Sequence, residues 1–296
     1  MRSYDLALNG HDFHIREWGD PSLPVLLMLH GFPEYGGAWA DLAERLSHRF
    51  RCVAPDQRGY GQSWCPEGVE NYASSLLAGD MAALAEHLGG ADGTPVTLLG
   101  HDWGASVAYA FAIRRPELID RLIILNGVHP APFRRALAQG GAQTAASQYM
   151  TFLRSEGSED KLAANDFARL LALFAEGMDM TWLTGDRLEE VRREWARPGR
   201  LKAMVNWYRA ARIKVPKDGA TTAVEDMPPA ALFVPMPHLL IWGMRDTALL
   251  PDSTVGLEDY CADLTRVEIE NADHWLVHQV PDQVAETILQ WIDAPT

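Results

Sequence analysis

The chain has 296 residues, 47% of them hydrophobic, and carries 26 basic against 40 acidic side chains for a net charge of -14. That length allows one large core with room for an inserted subdomain. The negative balance repels phosphate backbones and anionic lipid heads, which excludes nucleic acid and membrane surfaces as partners.

Three cysteines, Cys52, Cys65 and Cys261, are widely spaced and form no Cys-x-x-Cys pair, so neither a disulfide framework nor a zinc knuckle is indicated. The first residues, Met1-Arg2-Ser3-Tyr4-Asp5, lack the apolar core of an export leader, and no stretch approaches the ~18 apolar residues of a membrane span. A soluble, cytoplasmic protein is expected.

In chain order, residues 13–17 and 25–29 read as strands, the second followed by His30-Gly31-Phe32-Pro33-Glu34. A strand over 51–54 leads into Asp56-Gln57-Arg58-Gly59-Tyr60-Gly61-Gln62-Ser63, and 75–88 reads as a helix with Leu76, Leu77, Met81, Leu84 and Leu88 near one face. A strand over 96–99 runs into Gly100-His101-Asp102-Trp103-Gly104-Ala105 and a helix over 103–113, followed by a strand over 122–125. Such alternation predicts an α/β fold: a mostly parallel sheet flanked by helices, with ligands at the carboxyl ends of the strands.

The alternation stops over residues 131–235, where helices are expected at 143–154, 161–174, 187–196 and 201–211, followed by Met227-Pro228-Pro229 and Pro235-Met236-Pro237. This segment reads as a helical cap inserted after the sixth core strand, between core pieces 1–130 and 236–296. Strands at 239–242 and 267–269 complete the core. No internal repeat and no low-complexity tract is present.

Gly100-x-Asp102-x-Gly104 has the form of a sharp strand-to-helix turn that lifts its central side chain above the sheet. The helix that follows points free N–H groups and the positive end of its dipole at the same place, favouring an ionised carboxylate. One alternative is a tight turn whose Asp only caps the helix. A carboxylate nucleophile makes an ester with an sp3 carbon, so the expected substrates carry a strained ring oxygen or a halide at that carbon. The backbone N–H groups of Phe32 and Trp103 are candidates for an oxyanion hole.

An acid and a histidine are expected later in the chain, and Asp246 and His274 follow the strands at 239–242 and 267–269. Asp246 would orient His274, and His274 would deprotonate water. His278 is the rival base. His274 and His278 do not make a zinc helix, because Trp275-Leu276-Val277 between them supplies no Glu.

These motifs resemble those of α/β-hydrolases of the epoxide hydrolase and haloalkane dehalogenase group, over essentially the whole chain. The resemblance implies a two-step hydrolysis through an ester on Asp102 and no metal or organic cofactor. It also implies that two cap tyrosines hold a ring oxygen: Tyr208, in Asn206-Trp207-Tyr208-Arg209, and Tyr149, in Ser147-Gln148-Tyr149-Met150. Haloalkane dehalogenases often have Asn where this chain has Phe32, and fluoroacetate dehalogenases have arginines where it has Trp103 and Ser106. Both departures favour an epoxide over a halide, although the Trp103 indole would also suit a departing halide.

The expected substrate-binding residues are His30, Pro33, Trp39, Trp103, Trp182, Trp207 and Trp275, with Trp39 and Trp182 serving either halide or packing. The expected partner is a small apolar epoxide or halide, and the protein a monomer or homodimer. A ligand-binding receptor on a hydrolase fold is the non-enzymatic alternative. An ordinary esterase is disfavoured because no serine occupies the turn.

Overall fold

The computed structural model describes residues 1–224 and 228–294. Its strands are β1 (Arg2–Leu8), β2 (His11–Trp18), β3 (Val25–Leu29), β4 (Arg51–Pro55), β5 (Val96–His101), β6 (Ile119–Leu125), β7 (Val234–Gly243) and β8 (Cys261–Ile269). They form one eight-stranded sheet in the order β1-β2-β4-β3-β5-β6-β7-β8. β2 pairs antiparallel with β1 and β4, and every other pairing is parallel.

The apolar runs of β3, β5 and β6 have no polar alternation because both faces are covered. Leu27, Leu98 and Leu122 enter one core with α2 (Ser74–Leu88) and α3 (Trp103–Arg114). Leu26, Leu99 and Ile123 enter another, with α1 (Ala40–Leu46).

Between β6 and β7 lie α4 (Pro130–Ala138), α5 (Ala142–Ala146), α6 (Tyr149–Arg154), α7 (Ser158–Ala175), α8 (Gly185–Trp195) and α9 (Arg200–Ala210), and the chain closes with α10 (Leu276–Gln279) and α11 (Pro281–Asp293). No helix among the described residues is long and apolar enough to cross a membrane. Cys52, Cys65 and Cys261 are unpaired thiols.

Several elements differ from the sequence expectation. β1 was not anticipated, because four of its seven residues are exposed at the edge of the sheet and its apolar signal is weak. Its signal is the Asn9-Gly10 turn, whose positive φ values of 52° and 82° close a hairpin with β2. The expected helix at 143–154 is two helices, broken at Ser147 and Gln148, which places Tyr149 at the first residue of α6. The expected helix at 161–174 contains left-handed residues at Asn165, Asp166 and Phe167; Asn and Asp tolerate that conformation better than most. α4 has no counterpart among the expected helices. Pro235 and Pro237, expected only to follow the cap helices, belong to β7, at a register shift against β8 where a missing N–H is tolerated. β7 therefore begins at Val234, ahead of the expected return to the core at 236. Met227 lies outside the described residues.

Candidate active site

The chain passes from β3 outward to β4 and then returns across β3 to β5, so the strand order reverses between β3 and β5. Clefts form at such a reversal because the two connections leave in opposite directions. Leu29 pairs with Gly100, which sets the loop after β3 beside the turn after β5. In that turn Asp102 has φ 50° and ψ -119°, a strained conformation for a residue with a side chain. The strain persists because the turn is packed shut. A Cβ on Gly104 would lie 1.9 Å from the Leu29 carbonyl oxygen, and one on Gly31 would lie 2.4 Å from Cβ of Asp102.

Held there, Oδ1 of Asp102 accepts the backbone N–H of Phe32 at 2.7 Å. The Trp103 N–H bonds the same carboxylate. Burial pushes the Asp102 carboxyl above its ordinary range, against the pull of His274, His101 and the two N–H groups.

β7 and β8 neighbour β6 in turn, so their C-terminal loops stand beside the turn. His274 Nε2 lies 3.7 Å from Asp102 Oδ2, and its Nδ1 lies 2.8 Å from Asp246 Oδ2. Asp246 is almost fully buried, and its other oxygen accepts the N–H groups of Ala248 and Leu249 at 2.8 and 2.9 Å. Asn126, at the end of β6, was not singled out by sequence reasoning. Its Nδ2 donates to Asp246 Oδ2 at 2.7 Å, while its Oδ1 accepts the Gly243 N–H at 2.6 Å. Burial alone would lower the His274 pKa, but Asp246, Asp102 and Glu34 outweigh it and push it up to about 9.

Glu34, in the loop after β3, is buried and its charge acts on the same histidine. Its Oε1 meets His278 Nε2 at 2.6 Å, and its Oε2 lies 3.6 Å from His101 Nδ1. Burial opposes its ionisation, but His278 and His101 override that and hold its carboxyl far below the usual range. His101 in turn bonds the His274 carbonyl oxygen through Nε2 at 2.8 Å. His278 thus faces Glu34, and of the two candidate bases His274 is the one beside Asp102.

A cavity of about 700 Å3 opens over Asp102, with Trp103, Tyr149 and Tyr208 in its lining. Tyr208 projects from α9 onto Phe32 and Trp103, edge to face at 5.1 and 4.9 Å, and its ring lies 6.2 Å from that of Tyr149. The surrounding motif fixes α9: Trp207 Nε1 donates to the Arg58 carbonyl at 3.1 Å, and Arg209 bonds Asn206 and Glu159. Burial raises both phenol pKa values, and the Asp102 charge adds to the rise at each. Both hydroxyls therefore keep their protons at neutral pH.

The other residues expected to bind substrate do not line this cavity. His30 is a buried hydrogen-bonding post: its Nε2 accepts the Gln57 N–H at 3.1 Å. The Pro33 carbonyl accepts Trp195 Nε1 at 2.7 Å, tying the loop after β3 to α8. Trp39 is buried in the core beneath α1, on the opposite face of the sheet from Tyr208. Trp182 stacks on His278 at 3.8 Å, with Trp275 beside it at 5.6 Å, and Trp207 packs on Tyr60 at 5.2 Å. Large rings at these positions gain more from burial than from contact with a ligand.

Residues 24–281 match the alpha/beta hydrolase fold family. The chain is 30% identical over 295 residues to epoxide hydrolase 4 of Homo sapiens, covering 97% of this chain and 77% of that protein. Among solved structures it superposes on an α/β-hydrolase described among novel epoxide hydrolases from metagenomes of hot environments, with TM-score 0.91, 31% identity, and coverage of 100% and 99% of the two chains. It is also similar to the epoxide hydrolase of Bacillus megaterium, with TM-score 0.86, 28% identity, and coverage of 98% and 100%. The chain belongs to the α/β-hydrolase fold family, in its epoxide hydrolase-like branch.

Proposed function

We propose that this enzyme opens epoxides to vicinal diols through an alkyl ester on Asp102. The observation that carries the reading is the pairing, across one cavity, of a buried carboxylate with two phenols that stay protonated. Asp102 attacks a ring carbon and the ring C–O bond breaks. Tyr149 and Tyr208 hydrogen-bond the departing oxygen, and one of them gives it a proton.

The ester carries no charge, so one of the anions that hold the proton on His274 is gone. His274 then releases its proton, which restores the tyrosine, and its free Nε2 takes a proton from water. The hydroxide adds to Cγ of Asp102, and the N–H groups of Phe32 and Trp103 hold the oxyanion. Collapse expels the diol oxygen with a proton and leaves Asp102 ionised beside protonated His274. Asp246, fixed by Asn126, keeps Nδ1 protonated and the ring in place. The segment between β6 and β7 acts as a cap that keeps bulk water from the ester.

Trp103 on the cavity wall favours one second reading, halide displacement by the same carboxylate. Incubation with a terminal aryl epoxide and, separately, a bromoalkane decides between them. Diol is expected from the first, and bromide release without diol formation would reverse the assignment. Tyr208→Phe is expected to lower diol formation about 10- to 100-fold while leaving any bromide release intact. Equal loss of both would make Tyr208 a packing residue.

A further inference from the structure

We propose, building on the epoxide reading above, that Asp273 and Gln279 are positioning residues: together they grip the backbone of Asp179 in the cap, and that grip holds His274 in place for ester hydrolysis. Asp179 belongs to the coil of residues 176–184 that joins α7 to α8. Asp273 Oδ2 accepts the Asp179 N–H at 2.7 Å, and Gln279 Nε2 donates to the Asp179 carbonyl oxygen at 3.0 Å. Both main-chain groups of one cap residue are thus taken by side chains that stand on either side of His274 in the chain.

Each of these side chains is divided between cap and core. Asp273 Oδ1 accepts the Trp275 N–H at 2.9 Å, and Gln279 Oε1 accepts the Asp273 N–H at 2.9 Å. Asp273 is buried, and a buried carboxylate is costly unless its oxygens find donors. One donor comes from its own loop and the other from the cap. The loop that carries His274 is therefore closed on itself and fastened to the cap by the same two side chains.

The coil also reaches the loop that carries the acid. Thr247, next to Asp246, donates its hydroxyl to the Glu176 carbonyl oxygen at 2.7 Å. The backbones approach closely there, since a Cβ on Gly177 would lie 3.0 Å from Cγ2 of Thr247. One stretch of cap thus meets the loops after both β7 and β8, and so spans the pair formed by Asp246 and His274. The cap tyrosines are held elsewhere. α8 is tied to the core through Trp195 and the Pro33 carbonyl, and α9 through Trp207 and the Arg58 carbonyl and through Arg200 Nε, which donates to the Gly61 carbonyl at 2.7 Å. Loosening the coil should therefore slow ester hydrolysis and spare ring opening.

The test breaks each side of the grip separately. Asp273→Asn leaves one oxygen for two N–H donors, and Gln279→Glu sets a carboxylate oxygen against the Asp179 carbonyl. The first removes a negative charge beside His274 and the second adds one, so an effect of charge alone would be opposite in the two variants. In a single turnover of a terminal aryl epoxide, quenched at intervals, the intact protein mass follows formation and decay of the ester. Decay is expected to be about tenfold slower in both variants, with formation unchanged. Thr247→Val should slow decay to a lesser degree and Thr247→Ser should restore it, which keeps the test open should Asp273→Asn fail to fold. Slower decay in one variant and faster decay in the other, or equal slowing of formation and decay, would overturn the grip. Amide hydrogen exchange of the unreacted proteins supplies a readout free of chemistry, with faster exchange over residues 273–279 expected in both variants. Unchanged exchange there would overturn the grip whether or not epoxides are hydrolysed. Faster exchange there, with no ester formed by the parent, would overturn the epoxide reading and leave the grip standing.

Discussion

The backbone N–H of Phe32 reaches Oδ1 of Asp102 at 2.7 Å, although 70 positions separate them along the chain. The pairing of β3 with β5 makes this contact, and the lack of a side chain on Gly31 permits it. Gly31→Ala would place a Cβ 2.4 Å from the Asp102 Cβ and force the nucleophile away from its donors. The expected result is a folded protein, judged by circular dichroism, with kcat lowered about 100-fold. Near-normal kcat would mean that the carboxylate tolerates displacement.

His274 stands beside Asp102, and the mechanism assigns it only to the second step. His274→Gln should therefore still be alkylated and then fail to hydrolyse the ester, with turnover down by about 10^2 to 10^4. Mass spectrometry of the intact protein after substrate addition should show one added substrate mass on Asp102. Sustained turnover without an adduct would remove His274 from the role of base.

Asn126 gives a subtler effect, because it acts through Asp246. Its φ of 33° is one glycine accepts, so Asn126→Gly removes the amide without new backbone strain. Loss of a hydrogen bond to a buried carboxylate should cost about 2 kcal/mol of stability. Ester hydrolysis should also slow about tenfold while the alkylation rate is kept, since only the second step needs an oriented imidazole. Equal slowing of both steps in a stopped-flow experiment would indicate general loosening of the site.

The His274 pKa, raised from 6.5 to about 9, links stability to pH. A group whose pKa is higher in the folded protein stabilises it fully below its unfolded value, and that contribution is lost as pH rises through the folded value. The difference in Tm between the parent and His274→Gln should thus be greatest near pH 6 and shrink toward about pH 10. A constant difference over that range would mean that His274 is not held protonated by its neighbours.

How much of this was legible in the sequence varies with how local each signal is. Gly100-x-Asp102-x-Gly104 announced its turn because sharp backbone geometry has few residue solutions, and His274 and Asp246 stood out by following apolar strands. Asn126 follows a strand too, but an amide after a strand is ordinary until the neighbouring strand is known to end in Asp246. Glu34 likewise acquires its place only when residues 67 and 244 positions away, His101 and His278, fold against it. Of the expected tryptophans, Trp39 and Trp182 were open to either halide or packing, and Trp207 and Trp275 stood beside Tyr208 and His274; all four pack their rings against protein and are absent from the cavity lining.

Transfer of an Asp102 oxygen to the product is the step that separates this account from direct attack of water on the ring. A single turnover in heavy-oxygen water, with enzyme in excess over epoxide, tests it. The account predicts that the first diol carries ordinary oxygen and that peptide mass spectrometry finds the heavy isotope in the Asp102 carboxylate. Heavy oxygen in the first diol, with an unlabelled Asp102, would contradict it.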